Sequence, residues 1–242
     1  MKRAMELTLC IPAWRRYDLL VNAVRSAVQG RRKPDRILIL DNGGGLTADE
    51  LAFARDRLCI ERLRINMGVA GSWNYFLCKG GSDMVVMCND DVTLGADALE
   101  LLEAASEANP DYLLYHCMNR DGHNNWCLFL QRTCSIEIVG LYDTNFWPAY
   151  FEDNDYDYRQ HLLGYRCFPV QCDYQHVLSA SRAVMTPDEL QQAHAFFARN
   201  ARYYQAKWGG PPGREKYLVP FNRPDYYFAP QRFALAPPAA WE

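Results

Sequence analysis

Short apolar runs that alternate with segments of helical periodicity constrain the fold of this 242-residue chain more than any other feature of its sequence. Runs at residues 7–11, 36–40 and 84–88 have the length and composition of buried strands, and residues 17–30 carry apolar side chains at helical spacing. Strands that alternate with helices through short connections indicate right-handed βαβ units. The pattern predicts an α/β fold with a Rossmann-like, doubly wound, mainly parallel sheet that has helices on both faces.

The second half of the chain is less regular, although residues 188–208 are typical of one long helix. After residue 208 the chain becomes rich in proline and aromatic residues and loses any clear period. We therefore expect one domain over residues 1–208, with halves at about 1–110 and 111–208, followed by an irregular, aromatic C-terminal extension at 209–242.

The composition excludes several classes of protein. With 49% hydrophobic and 23% charged residues the chain is globular and not intrinsically disordered. Its longest stretch without a charged side chain is 65–78, which is too short and too polar to span a membrane, and no signal peptide is readable at the N-terminus. We expect a soluble protein with no transmembrane segment.

The nine cysteines are scattered and contain no Cys-x-x-Cys pair. This distribution argues against a structural zinc site and against a disulfide framework. Thiols used as small hydrophobic side chains suit a reducing compartment, so the sequence favours a cytoplasmic location.

Acidic residues follow two of the predicted strands. Asp41 ends one strand, and Asp90 and Asp91 follow another. The carboxyl ends of strands in a doubly wound sheet meet at the crevice that receives ligands. Because clustered carboxylates repel one another, a hard divalent cation between them would stabilise the group, although turn formation alone also explains acids at these positions.

The sequence lacks the glycine-rich loops of dinucleotide-binding and P-loop proteins. The first predicted strand is followed by Pro12, Ala13 and Trp14 where a dinucleotide-binding fold needs Gly-x-Gly-x-x-Gly, and no Gly-x-x-x-x-Gly-Lys sequence occurs.

A second acidic cluster follows an aromatic run at 146–151. It contains Glu152, Asp153, Asp155 and Asp157. Acids in the first turn of a helix are favoured by the helix dipole, but four like charges in six residues repel one another. The density of charge indicates that some of these acids have a chemical role.

Taken in order, these motifs resemble glycosyltransferase family 2, whose members have the GT-A fold. The resemblance spans about residues 7–181 and rests on motifs around Pro12, Asp41, Asn66 to Gly71, Asp90 with Asp91, Gly140 to Asp143, Glu152 to Asp155 with Arg159, Gly164, and the lone His176. It implies a nucleotide-sugar glycosyltransferase with a nucleotide-binding first half and an acceptor-binding, catalytic second half.

The resemblance also implies roles for individual residues. The donor-binding set is Pro12, Ala13, Trp14, Asp41, Asn66, Gly68 and Asp90. Asp91 and His176 would bind Mn²⁺ or Mg²⁺ at the diphosphate, and the imidazole favours Mn²⁺. Two further histidines, His116 and His123, have no partner at ligand spacing, so we interpret them as structural or exposed.

Sugar transfer requires a base for the acceptor hydroxyl and stabilisation of the departing nucleoside diphosphate. The implied base is Asp153, with Glu152 binding hydroxyl groups of the acceptor or donor. A single displacement inverts the anomeric configuration. The expected reaction is a metal-dependent, inverting transfer of a hexosyl or related group from a nucleotide-diphospho-sugar, most simply to a glycan.

Two other interpretations stay open. One is a catalytically silent protein of the same fold that binds a sugar nucleotide or glycan. The other is a glycosyltransferase whose acceptor is a modified nucleic acid or a protein, because residues 199–242 carry seven basic and three acidic side chains, a net charge of +4.

Overall fold

The computed structural model describes residues 6–119, 126–178 and 180–224. The elements up to residue 108 are β1 (Leu7–Ala13), α1 (Tyr17–Gln29), β2 (Arg36–Asp41), a 3-10 helix (Ala48–Arg57), β3 (Leu58–Arg62), α2 (Gly68–Lys79), β4 (Met84–Cys88), β5 (Val92–Leu94) and α3 (Ala98–Ala108). Each predicted strand and helix in this part of the chain is present, with ends that differ by up to three residues.

The elements after residue 108 are β6 (Leu114–Met118), β7 (Leu128–Arg132), α4 (Ser135–Ile138), a 3-10 helix (Thr144–Phe146), α5 (Glu152–Leu162), β8 (Phe168–Gln171), β9 (Tyr174–His176), a 3-10 helix (Ala180–Val184), α6 (Pro187–Trp208) and a 3-10 helix (Pro220–Asn222). Helix α6 begins at a capping box formed by Thr186 and Glu189, which explains its sharp start.

Seven strands of the described chain form one sheet in the order β3-β2-β1-β4-β7-β6-β8. All neighbouring pairs are parallel except the two that β7 makes, with β4 and with β6. The connection from β6 to β7 is too short for a crossover, so these two strands must run antiparallel. The prediction of a mainly parallel α/β sheet is confirmed, and the strand order reverses between β1 and β4, where such sheets bind ligands.

Both faces of the sheet are covered. Side chains of β1 alternate between the two faces: Leu9 and Ile11 pack with Leu20 and Val24 of α1, whereas Cys10 packs with Phe76 of α2. All of these side chains are fully buried. Burial of each large apolar side chain contributes about 1.5–3 kcal/mol, so the alternation holds the helices on opposite sides.

A second, two-stranded sheet was not predicted. In the described residues β5 pairs antiparallel with β9, and the register places Val92 opposite His176. Each strand has three residues, which is too short for a recognisable alternation in sequence.

The C-terminal helix α6 packs on the loop before α5 and on α5 itself. Phe146, Tyr204 and Trp208 form a third buried cluster there. The chain after α6 turns back onto the same region, where the Tyr158 hydroxyl donates to the Tyr217 carbonyl at 2.9 Å. Residues 209–224 therefore cover part of the body. Residues 225–242 lie outside the described residues, and the division at residue 208 stays a prediction.

One expectation about the cysteines is wrong. Cys117 and Cys172, which are 55 positions apart in the sequence, form a disulfide with Cα atoms 5.6 Å apart. The parallel pairing of β6 with β8 brings Cys117 opposite Val170, and Cys172 follows two residues later. No local spacing signals such a contact. The other cysteines, all of which fall in the described ranges, are free.

No helix within the described ranges is both long enough and apolar enough to cross a membrane.

Candidate active site

The carboxyl ends of β1, β2 and β4 meet at one edge of the sheet. Ala13 at the end of β1 lies opposite Asp41 at the end of β2. The backbone N–H of Trp14 donates to Asp90 Oδ2 at 3.0 Å, which joins the loop after β1 to the loop after β4. Ala13 is fully buried and offers no exposed surface to a ligand, whereas Pro12 and Trp14 are partly exposed.

Asp90 is 7% exposed. Burial and the neighbouring carboxylate of Asp91 raise the pKa of Asp90 to about 7, although the hydrogen bond from Trp14 favours the charged form. A carboxylate with a raised pKa at the edge of a crevice is typical of a functional site.

Asp41 shapes a loop. It is fully buried and accepts hydrogen bonds from the Tyr17 hydroxyl (2.7 Å) and from the backbone N–H groups of Gly43 (3.1 Å), Gly44 (2.9 Å) and Leu46 (3.0 Å). A carboxylate offers about four acceptor positions, so these contacts occupy it. Contact between Asp41 and a donor stays a prediction and would require one of these bonds to be exchanged.

Asn66 and Gly68 form a turn that contacts the loop before α5. The Asn66 side chain accepts from Gly68 N at 2.8 Å, and the Asn66 carbonyl accepts from Trp147 Nε1 at 2.9 Å. Gly68 has φ +69°, and a Cβ atom there would lie 2.6 Å from the Pro148 carbonyl oxygen. Only glycine fits this close approach of Gly68 to Pro148. The contact joins the strand-end crevice to the loop that leads into the acids of α5.

Asp91 and His176 meet because β5 pairs with β9. The His176 Nε2 and Asp91 Oδ1 atoms lie 3.1 Å apart, and both side chains are about nine-tenths buried. Burial opposes the charged imidazolium, but Asp91 and Cys127 outweigh it and raise the pKa of His176 to about 10. The sequence motif and the structure therefore bring the two predicted metal ligands together.

The pair fits a divalent cation. Asp91 Oδ1, the atom that faces His176 Nε2, is buried and makes no hydrogen bond within the described residues besides its contact with the imidazole. No group of three or more His, Cys, Asp or Glu side chains suited to a metal occurs in the described chain. Two protein ligands suit a cation that takes its other ligands from substrate phosphates and water, and an imidazole with a carboxylate suits Mn²⁺ as well as Mg²⁺.

The structure divides the four acids of α5 into two pairs. Asp155 is fully buried and binds Arg159 at 2.9 Å and Lys207 at 2.6 Å. Asp157 accepts from Gln160 Nε2 at 2.7 Å. These two acids stabilise the fold, and a catalytic role for Glu152 and Asp153 stays a prediction.

Glu152 and Asp153 lie in the first turn of α5 and differ in environment. Glu152 is 5% exposed, and its Oε2 has no hydrogen-bond partner within the residues that the structure describes. Burial, with the neighbouring acids Asp153 and Asp155, raises the pKa of Glu152 well above its usual range. Asp153 is partly exposed and accepts from Asn154 N at 2.8 Å, and burial raises its pKa as well. Glu152 is suited to donate a hydrogen bond and Asp153 to accept a proton.

Sequence reasoning missed the buried ionic network behind these acids. Lys207 Nζ lies 2.7 Å from Asp143 Oδ2 and 2.6 Å from Asp155 Oδ1, and all three side chains are fully buried. Asp143, Asp155 and Arg159 belong to the motifs quoted above, but Lys207 gave no signal beyond its place among aromatic residues.

His116 is buried and structural, as interpreted from the sequence. It is 1% exposed, and burial lowers its pKa to about 3. The ring packs against Trp126 and Phe129 at centroid distances of 4.3 and 5.3 Å. His123 lies outside the described residues.

Comparison with solved structures identifies proteins of the same fold. A mannosyltransferase, PcManGT from Pyrobaculum calidifontis, described in complex with GDP-Man and Mn²⁺, superimposes with a TM-score of 0.59 at 15% sequence identity. The match covers 83% of this chain and 65% of that protein, so the chain spans less than two thirds of its length. None of the curated proteins matches.

The structural match identifies the GT-A fold that the sequence motifs implied. Residues 8–171 match the family described as Glycosyl transferase family 2, and they span every strand of the large sheet. Because this match covers more than half of the sequence, the chain belongs to glycosyl transferase family 2.

Proposed function

We propose that this protein is a metal-dependent, inverting glycosyltransferase that moves a sugar from a nucleotide-diphospho-sugar to an acceptor hydroxyl, most simply on a glycan. The observation that carries the proposal is the Asp91–His176 pair, 3.1 Å apart and adjacent to Asp90 at the strand-end crevice. Family membership and the GDP-Man and Mn²⁺ of the mannosyltransferase support the same reaction class.

The donor occupies the edge where β1, β2 and β4 end. The exposed surfaces of Pro12 and Trp14 and the loop shaped by Asp41 contact the base and ribose, with Asp90 beside the ribose. The turn at Asn66 and Gly68 lies between this edge and the acids of α5. The nucleotide therefore binds to the first half of the chain, and the sugar extends toward the second half.

Asp91 and His176 would hold Mn²⁺ or Mg²⁺. When bound, the cation stabilises the negative charge that develops on the departing diphosphate. Asp91 supplies a hard oxygen ligand and His176 a nitrogen ligand, and the pairing of β5 with β9 fixes the distance between them.

Asp153 accepts the proton of the acceptor hydroxyl. Its raised pKa makes it a stronger base than an ordinary aspartate, and its partial exposure gives an acceptor access. Glu152, protonated in its buried site, donates a hydrogen bond to a sugar hydroxyl. The hydroxyl oxygen forms a bond to the anomeric carbon as the bond to the diphosphate oxygen breaks, and attack from the opposite side inverts the configuration.

The test is a thermal-shift panel of UDP-, GDP- and TDP-sugars, each with Mn²⁺, Mg²⁺ or EDTA. A ligand at 100 times its Kd adds about 2.7 kcal/mol to the free energy of unfolding, which raises the Tm of a chain of this size by about 5–10 °C. We expect one nucleotide to give this shift with a metal and a much smaller one with EDTA.

Turnover is then measured with that donor by release of the nucleoside diphosphate, first to water and then to candidate glycans. Release that requires Mn²⁺ or Mg²⁺ supports the proposal. A metal-dependent shift without any release would instead favour a silent sugar-nucleotide-binding protein, and an equal shift with EDTA would contradict the metal site.

A further inference from the structure

One face of α6 is polar although it is buried. Asn200 and Lys207 are fully buried, and Tyr203, partly exposed, lies between them at the same face of the helix. Positions 200, 203 and 207 recur at i, i+3 and i+7, where a packed helix normally carries apolar side chains. Burial of polar groups costs free energy unless each is hydrogen-bonded, so the partners of this face explain its composition.

The partners of Asn200 lie in the loop that leads to the acids of α5. The Asn200 Nδ2 atom donates to the carbonyl oxygens of Phe146 at 2.7 Å and Ala149 at 2.9 Å. The neighbouring Arg199 also donates to the Trp147 carbonyl. Helix α6 therefore fixes the backbone of this loop.

Lys207 and Tyr203 fix the two ends of the same segment. At the beginning, Asp143 Oδ2 accepts from Lys207 at 2.7 Å and from the Tyr203 hydroxyl at 2.9 Å. At the end, Asp155 Oδ1 lies 2.6 Å from Lys207 and accepts from Trp208 Nε1 at 2.9 Å. Residues 143–155, which include Glu152 and Asp153, are held at both ends and in the middle by one helix.

The segment needs such support because its backbone is unusual at the point where α5 begins. Tyr150 and Phe151 have φ values of +77° and +76°, a left-handed conformation that is rare for residues other than glycine. Two successive residues of this kind persist only where the surroundings hold them, and they often occur at functional sites. The turn sets the direction of α5 and the position of Asp153 directly after it.

We infer that the buried polar face of α6 positions Asp153 for transfer, with Asn200 and Lys207 as positioning residues that touch neither donor nor acceptor. The inference rests on the proposed role of Asp153. It assigns part of the catalytic apparatus to residues 187–208, which lie beyond the family match at 8–171.

The first variant is Asn200→Leu, which keeps the size of the side chain but removes both donors. We expect kcat to fall about tenfold or more, since misplacement of a catalytic group by ~1 Å can cost about 10²-fold, while KM for the donor stays within about twofold. Amide hydrogen exchange over residues 144–154 should become faster. The control Arg202→Met alters an exposed position of the same helix. It should change neither kcat nor KM, and the rate of hydrogen exchange over residues 144–154 should also be unchanged.

The second pair of variants separates positioning from stability. Lys207→Met leaves two buried carboxylates with only Arg159 as a cation and should lower Tm. Adding Asp143→Asn balances the buried charge again and should restore Tm, but kcat should stay low because Lys207 no longer joins the two ends of the segment to α6. Joint recovery of Tm and kcat would mean that the network only stabilises the fold.

Tyr203→Phe removes one hydroxyl and keeps the ring, so it provides a folded variant if the others fail to fold. We expect it to lower kcat by a few fold without a change in donor KM. Unchanged kcat in folded Asn200→Leu and Tyr203→Phe, with an active wild type, would overturn the inference and leave the proposed function intact.

The hydrogen-exchange measurement does not depend on activity. An inactive wild-type protein would overturn the proposed function, whereas unchanged exchange over 144–154 in Asn200→Leu would overturn the role of α6.

Discussion

Val92 and His176 lie opposite each other in a sheet of two three-residue strands, and this register places His176 Nε2 3.1 Å from the carboxylate of Asp91. The two side chains come from positions 85 residues apart. The separation of Asp91 and His176 is therefore set by backbone pairing, as the proposed metal site would require.

Asp91→Asn and His176→Gln should each abolish the metal dependence of donor binding. Both replacements keep approximate size but weaken or remove a ligand, so we expect the added Tm shift with Mn²⁺ to disappear while the shift with EDTA is unchanged. Electron paramagnetic resonance of Mn²⁺ with the matching nucleoside diphosphate measures the same loss directly. Asp49→Asn, at an exposed acid, is the control. A full Mn²⁺ shift in either site variant would contradict the assignment.

Asp153→Asn should reduce kcat by about 10²-fold or more and leave donor binding within about twofold, because only the proton acceptor is lost. Asp157→Asn is the matched control: it lies one turn later in α5, and an amide still accepts from Gln160. Steady-state kinetics with one donor and one acceptor measure both. Equal losses in the two variants would point to damage to the helix and not to removal of a base.

Glu152→Gln should raise stability at neutral pH and lower activity. Burial raises the pKa of Glu152 above its ordinary value of 4.5, so the folded state holds a proton that the unfolded state releases. The free energy of unfolding of the wild type therefore falls as pH rises above about 4.5. The variant lacks this loss, so its Tm should exceed that of the wild type at pH 8 and approach it at pH 4.5.

Thermal unfolding across this pH range, with both proteins in EDTA, measures the difference. A Tm difference that is constant with pH would show that burial does not raise the pKa of Glu152 in the folded protein.

The sequence predicted the strands that form the crevice because β1, β2 and β4 are buried on both faces and read as continuous apolar runs. It predicted α6 as one long helix over residues 188–208, and the structure places this helix at Pro187–Trp208. It did not predict β5, β9 or the Cys117–Cys172 bond, since these depend on contacts between distant segments. The sequence also did not predict the burial of Lys207, because lysine side chains are usually exposed.

The resemblance to a family assigned roles that the structure refines. Asp41, a predicted donor ligand, has its acceptor positions occupied by Tyr17 and the backbone of its own loop. Motif order alone cannot distinguish an acid that contacts a ligand from one that shapes the loop around it.

Gly68→Ala should destabilise the protein more than Gly164→Ala. Both glycines have positive φ values, +69° and +86°, so both substitutions strain the backbone by about 1–3 kcal/mol. At Gly68 the new Cβ would also lie 2.6 Å from the Pro148 carbonyl oxygen, whereas at Gly164 nothing lies within 4 Å. The additional clash should separate the turn after β3 from the loop before α5 and lower kcat as well as Tm. Urea unfolding gives the stability difference, and equal losses for the two variants would mean that the approach of Gly68 to Pro148 contributes nothing to either property.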